Sequence, residues 1–355
     1  MQLQNRKAML SSNQGVSNEA AIEALRTLNV LEVMIDQSRS KQRESLAETT
    51  ASNSSPENTT QNMATKFEKK ESIHQIQKLY TVAKEFQSKL LNALKNGEVI
   101  DIAPIEEMAD RLVYSIFKNR NALLLLSQIR KKDTYLMEHS LNVGILLANF
   151  GRFLNLGDQI IKNLVVGGLL HDTGKVMVPD EILHKPGRLT ADEFSIMKQH
   201  VDFSLKIMNM SEGIGKIIRT VAENHHEKLD GSGYPRGLKG NELCLVSRMS
   251  AIVDVFDALT ADRCYKKGMQ ASQAFRILLQ GCGTQFDTHL VNNFIKCMGI
   301  YPTGSLVKLK SGKLAIVLET RESAPLKPVV KIIYSAISNI YLDVKVIDLE
   351  KTSGE

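Results

Sequence analysis

No uninterrupted apolar run of the ~18 residues that a bilayer-spanning helix needs occurs in the chain, so no membrane span is expected. The stretch Met1 to Ser12 is polar and lacks the apolar centre of a secretion signal. Cysteine is scarce: Cys244, Cys264, Cys282 and Cys297 are scattered through 355 residues and form no C-x-x-C pair. That excludes the dense disulfide framework of a small secreted domain and favours a reducing, cytoplasmic setting. Tryptophan is absent and aromatic residues amount to 5%. No periodic repeat is present. What remains is ordinary for a soluble globular protein, 43% hydrophobic and 24% charged, with a formal net charge of +6. The positive balance suits an anionic ligand without distinguishing a nucleotide from a polymer.

Five segments are expected. Residues 1–36 contain one helical pattern (Ala21, Ile22, Leu25, Leu28) and one strand-like run from Val30 to Ile35, too little to bury a core alone. Residues 37–66 are rich in Ser, Thr, Asn, Gln and Glu, the composition of a disordered tether. Residues 67–129 are helical: Ile73, Ile76, Leu79, Ala83, Phe86, Leu90 and Leu94 space a long amphipathic helix, and Ile105–Phe117 and Leu123–Ile129 suggest two more. This region is either a bundle packed on the main domain or a dimerisation stalk. Residues 130–302 are helical again. Residues 303–355 change in kind, with a hairpin turning at Ser311-Gly312 and further strands at Val329–Tyr334 and Val344–Ile347. The expected fold is therefore mainly α, a helical bundle with a small N-terminal αβ fragment and a small C-terminal β appendage.

Within 130–302, residues able to bind metal keep falling on apolar stripes. His139 leads a stripe with Asn142, Val143, Leu146 and Phe150. The run Leu164–Leu170 is almost wholly apolar and ends in His171-Asp172. The next helix opens with a capping box, Thr190 with Glu193, and carries Met197, His200, Val201 and Met208 along one face. Ile214, Ile217, Ile218 and Val221 lead to His225-His226, and Asp254 shares a helix with Val246, Ser250 and Asp257. Singly, each such residue is more often a satisfied core or surface group. Together, five imidazoles and two carboxylates at the ends and inner faces of successive helices point to a metal cluster at the centre of a bundle. Mixed imidazole and carboxylate donors suit iron, manganese or similar ions. The donors exceed one ion's need, and two ions sharing a carboxylate would activate a water and clamp a phosphoryl group, which makes phosphate ester hydrolysis the reaction class. After His225-His226-Glu227 comes a Gly-rich loop closed by Gly233-Tyr234-Pro235.

With these residues in view the chain resembles the HD-GYP family of bacterial cyclic dinucleotide phosphodiesterases, second-messenger hydrolases of the HD phosphohydrolase superfamily. The resemblance rests on His139-Ser140, His171-Asp172-Thr173-Gly174-Lys175, His200, His225-His226-Glu227 through Gly233-Tyr234-Pro235, and the run Asp254 to Arg263. It implies that His139, His171, Asp172 and Asp254 hold one metal. Asp172 bridges to a second metal, held also by His200, His225 and His226. Lys175 neutralises charge on the scissile phosphate, and Asp133, Tyr234, Arg263 and Lys266 contact guanine or phosphate. The nucleophile it implies is a hydroxide bridging the ions, and the products are linear dinucleotides from cyclic di-GMP or 3′3′-cyclic GMP-AMP. The partners it implies are the cyclic dinucleotide, diguanylate cyclase-type proteins met through the GYP loop, and a second copy of the chain if the helical region is a stalk; no nucleic-acid polymer is expected.

Some positions depart from the family. Tyr135 stands where members with a third metal carry Glu, so a two-metal centre is expected; Val201 and Cys264 replace common prolines. His74, His184 and His289 fall outside the motifs and are expected at the surface. Residues 1–36 resemble the end of a domain of unknown function found before HD-GYP domains, here shortened. The alternative to an enzyme is a receptor or interaction module without turnover, which degenerate ligand positions would favour; none is found.

Overall fold

The computed structural model describes residues 57–127, 135–261, 268–321 and 323–352, with side chains for all of these but 57–73, 127, 135 and 136. The expected αβ segment 1–36, and with it Asp133, Arg263 and Lys266, lies outside the described residues. Two compact units are separated by the chain's own contacts. One is helical, Ser72–Ser305 with Val317–Pro328; the other includes Leu306–Ile316 and Val329–Glu355.

The helical unit begins in α1 (Glu57–Lys95), whose first ten residues fall inside the stretch expected to be a tether. Those residues carry no apolar stripe, so periodicity had nothing to register there. Farther along, Ile76, Tyr80, Ala83, Leu91 and Leu94 are buried, and Leu79, Phe86 and Leu90 pack beside the core. α2 (Ile102–Ser127) covers the helix expected at Ile105–Phe117 and, as far as Ser127, the one expected at Leu123–Ile129, whose last two residues lie outside the described residues. The two helices meet at Asn119, which leaves helical geometry at φ −145° and ψ 62°. The turns after it are the apolar run Leu123–Leu126, so the break redirects the chain without ending the buried face.

α3 (Tyr135–Phe153) and α4 (Asp158–Leu170) form the centre; every residue of α3 from Glu138 to Gly151 is buried, as is α4 from Leu164 onward. A helix buried all round must be surrounded, and α4 lies between α3, α2 and the later helix α8. α3 and α4 approach closely because glycines meet. A Cβ on Gly168 would stand 2.5 Å from both the nitrogen and the Cα of Gly144. After α4 comes a tight turn (Thr173–Met177). Then follow α5 (Asp180–Leu183), α6 (Ala191–Lys198), α7 (His200–Asn209), α8 (Lys216–Asn224), α9 (Leu245–Thr260), α10 (Ala271–Gln280) and α11 (Thr288–Met298). The capping box of α6 is present: Glu193 N–H donates to Thr190 Oγ1 at 3.2 Å, and Thr190 N–H donates to Glu193 Oε2 at 2.8 Å. Among the described residues no helix is long and apolar enough to cross a membrane.

α1 also reaches the centre with polar groups one or two turns apart. The Tyr80 hydroxyl donates to Asn142 at 3.0 Å, Lys84 pairs with the buried Glu138 at 3.2 Å, and Gln87 Nε2 donates to Leu169 O at 2.8 Å. These contacts flank His139 and His171, so α1 fixes the two helices that carry them.

The expected hairpin is present: β1 (Leu306–Lys308) pairs antiparallel with β2 (Lys313–Glu319), Val307 opposite Ala315, around Gly312 at φ +76°. β3 (Val329–Ser335) and β4 (Ile340–Asp348) complete a four-stranded sheet in the order β1-β2-β3-β4. β4 is longer than its apolar run Val344–Ile347 suggests, because its first residues pair with β3 beyond an irregularity between Ile332 and Tyr334.

Gly168→Ala tests the close helix contact. Added volume in a packed interior costs about 1–3 kcal/mol, and here the obstacle is backbone. The unfolding free energy in urea should fall by that much, lowering the midpoint with the slope unchanged; an unaltered midpoint would show that α3 and α4 can separate freely.

Candidate metal centre

Three of the imidazoles are positioned by one local device. The last carbonyls of a helix have no partner within it. His171 and His225 are the residues that close α4 and α8, and His200 opens α7 directly after α6. Each ring turns back three residues. Nδ1–H donates to Gly168 O at 2.8 Å from His171, to Met197 O at 2.6 Å from His200, and to Ala222 O at 2.8 Å from His225. A carbonyl only accepts, so each Nδ1 carries a proton and Nε2 is the ring nitrogen that faces inward, the atom a metal takes once it holds no proton. His139 reaches the same state through a carboxylate, its Nδ1 lying 2.7 Å from Asp257 Oδ2.

Asp172 stands where these Nε2 atoms meet. Its Oδ2 is 3.4 Å from Nε2 of both His139 and His171; its Oδ1 is 3.4 Å from His200 Nε2 and 3.8 Å from His225 Nε2. One carboxylate thus turns one oxygen toward each of two imidazole groups. Asp254 completes the first group, with Oδ1 3.0 Å from His139 Nε2 and 3.7 Å from His171 Nε2; its Oδ2 lies 3.8 Å from His226 Nδ1. Ligand atoms of His139, His171 and Asp254, of His171, Asp172 and His225, and of His200, His225 and His226 fall within 4.8 Å of one another in each set.

The turn that carries Asp172 is pressed against α7. Ser204 Oγ donates to His171 O at 2.9 Å and accepts from Gly174 N–H at 2.8 Å. A Cβ on Gly174 would lie 2.0 Å from His200 O, so glycine alone lets the two ligand-bearing segments touch.

Electrostatics agree with the geometry. Burial keeps His200 neutral, with help from the Lys175 charge, lowering it to about 4. It lowers His226 to about 3 against the pull of Asp254, and lowers His225 as well. Burial works against charge on His171 too, but Asp172 and Asp254 prevail and push it up to about 10. Both carboxylates stay ionised despite burial. Lys175 and His171 hold Asp172 well below its ordinary value, and His139 and His171 do the same for Asp254. Lys175 Nζ contacts Asp172 Oδ2 directly. Even so, Asp172 Oδ1 and His171 Nε2 are buried without a hydrogen-bond partner. An unpaired buried carboxylate oxygen is expensive, and a cation is the group that this donor set fits.

The GYP loop is held from within. Glu227 is 2% exposed; its Oε1 accepts from Arg236 N–H at 2.7 Å and Gly237 N–H at 3.1 Å, and its Oε2 from Leu238 N–H at 3.1 Å. So pinned, the loop lays the Tyr234 ring against His226, with centroids 4.6 Å apart and planes at 32°. The Tyr234–Pro235 peptide is cis.

All seven expected ligands therefore converge, and Lys175 and Tyr234 adjoin them. His74, His184 and His289 are exposed and lie apart from the cluster. The Tyr135 side chain is outside the described residues, as are Asp133, Arg263 and Lys266. Sequence reasoning missed Asp257 and Glu227 as positioning residues. Asp257 had a signal: it follows Asp254 by three residues on a buried polar stripe, Ser247, Ser250, Asp254, Asp257. Glu227 had none, since its partners are backbone groups nine to eleven residues ahead.

His171 must lose its proton to bind a metal, and that proton is held up to about 10 in the metal-free protein. Metal uptake at neutral pH should therefore release about one proton, and apparent affinity should drop roughly tenfold per unit as pH falls from 8 to 6. Calorimetry with Mn²⁺ in two buffers of different ionisation enthalpy measures this; equal heats in both would contradict it.

A family model described as HD domain matches residues 116–290. A second, described as a domain of unknown function (DUF3391), matches 6–105, and a third, a KOW domain associated with HD domain, matches 306–354. The chain is 39% identical over 253 residues to a cyclic di-GMP phosphodiesterase of Pseudomonas aeruginosa, covering 71% of this chain and 61% of that protein. It is 40% identical over 157 residues to 3′3′-cGAMP-specific phosphodiesterase 1 of Vibrio cholerae, covering 44% of this chain and 36% of that one. The chain thus spans less than two thirds of the length of these relatives. In fold it is similar to an HDG"Y"P protein from Bdellovibrio bacteriovorus, with a TM-score of 0.51 at 16% identity over 61% of this chain and 69% of that one. The histidines and aspartates gathered as described lie within residues 116–290, the stretch that the HD domain model matches.

Proposed function

We propose that this chain is a metal-dependent phosphodiesterase that opens a cyclic dinucleotide, cyclic di-GMP or 3′3′-cyclic GMP-AMP, to a linear product. The observation that carries the reading is Asp172, whose two oxygens face two separate imidazole groups. The relatives named above as phosphodiesterases of these two messengers supply the substrate class. His139, His171, Asp172 and Asp254 would hold one divalent ion, and Asp172, His200, His225 and His226 a second; mixed imidazole and carboxylate donors favour iron or manganese. Bound there, such ions would supply a water acidic enough to attack at neutral pH and positive charge against the phosphoryl oxygens.

The chain's own residues do the rest. Asp257 orients His139. Lys175 rests on Asp172 while that carboxylate needs a counter-charge; once relieved, its ammonium is free to meet a non-bridging phosphate oxygen. The Tyr234 hydroxyl is pushed up by burial, by Asp254 and by Asp172, so it stays protonated and donates to the ligand. Arg263, whose guanidinium can donate twice in one plane, is assigned to a guanine edge, and Asp133 and Lys266 to guanine or phosphate contacts. The free thiols Cys244, Cys282 and Cys297 fit a reducing cytoplasm. Diguanylate cyclase-type partners and a homodimer belong to the same reading. A receptor without turnover is not favoured, because every donor position is filled.

The test is hydrolysis of both cyclic dinucleotides, side by side, with Mn²⁺ or Fe²⁺ and chromatographic separation of products. The wild-type protein should yield linear product from at least one. Asp172→Ala should abolish turnover while far-UV circular dichroism is kept, and Lys175→Met should lower kcat by about 10²–10³. Full activity in Asp172→Ala would sink the two-metal reading.

A further inference from the structure

Phe194 is an apolar ring left 47% exposed on α6, a helix with no buried residue of its own. Its position is nonetheless fixed. The capping box holds the start of α6, Lys185 pairs with Glu193 at 2.5 and 2.7 Å, and the far end supplies the Met197 carbonyl that orients His200. Phe194 stands edge-on to Tyr234, with centroids 6.2 Å apart and planes at 86°, and Tyr234 stacks on His226 of the metal centre. Lys198, one turn after Phe194, places its ammonium 5.4 Å from the Phe194 ring and 5.9 Å from the Tyr234 ring. A rigid aromatic pair continuous with a phosphate-handling centre, with a cation over it, has the chemistry of a nucleobase platform: ring faces stack on bases and the cation meets a phosphate.

We infer that Phe194 and Lys198, with Tyr234, form a face at the rim of the metal centre that holds one purine base of the cyclic dinucleotide and the phosphate next to it. The inference rests on the proposed function and adds two specificity-determining residues to it. Because Phe194 is exposed, its replacement removes little packing.

The chain has no tryptophan, so Phe194→Trp introduces a single indole at the site of interest. Metal-loaded, full-length Phe194→Trp is mixed rapidly with cyclic di-GMP, and indole fluorescence should be quenched before linear product forms. Inorganic phosphate at the same concentration should leave it unchanged. In a parallel assay Phe194→Ala should raise KM about tenfold with a much smaller effect on kcat, as loss of one stacked base predicts, and Phe194→Trp should keep a near-native KM. Turnover without quenching, quenching by phosphate alone, or an unchanged KM in Phe194→Ala would overturn the platform and leave the hydrolase reading standing. Quenching without turnover in any form of the protein would do the reverse. Neither signal would overturn both.

Discussion

A carboxylate with no exit to water organises this domain. Asp172 is 1% exposed at the meeting point of the α4 end, α3, α7, α8 and α9. An ion in such a place persists only if opposite charge and directed donors surround it. Everything near Asp172 answers that requirement. Lys175 and His171 supply charge, and four imidazoles present lone pairs or N–H groups around its two oxygens. The remaining oxygen without a partner is one that a further cation would satisfy.

The helices converge on this point because their ends, not their middles, carry the chemistry. A histidine that closes a helix can spend Nδ1–H on an orphan carbonyl of that same helix and keep Nε2 for the interior. The same side chain then caps the helix and orients a ligand, so the stability of α4 and α8 and the readiness of the site rest on shared bonds. Glycine does the complementary work. Gly168 lets α4 reach α3, and Gly174 lets the Asp172 turn reach His200. Side chains there would hold apart the segments whose contact creates the site.

Much of this was legible in the sequence. Helical spacing disclosed α1, α3 and α4, and the ligand set followed from polar residues placed where an apolar stripe should continue. The hairpin followed from its Ser311-Gly312 turn. Other features depended on tertiary context. Asn119 gives no local signal for the break that joins two expected helices into one element. The first turns of α1 have a polar composition that single-sequence reasoning assigns to a tether. Glu227 is visible only when the loop it satisfies has closed around it, because its three partners are backbone N–H groups that no residue type reveals.

Under the proposed function, the charge balance of the centre would favour an anionic ligand over a neutral one. In the metal-free protein Asp172 and Asp254 are matched by Lys175 and the proton on His171. Two divalent ions on the same donors would bring four positive charges and release that proton. The two ligand carboxylates, with Asp257 one contact farther out, are then outnumbered. A buried surplus of positive charge is as costly as the orphaned carboxylate was. The group that removes it must be anionic and must reach the open side of the cluster, beside His226 and the Tyr234 ring, where burial is least complete. A phosphate diester flanked by bases, the substrate class proposed above, would satisfy both conditions, placing charge at the ions and aromatic surface against the aromatic rim.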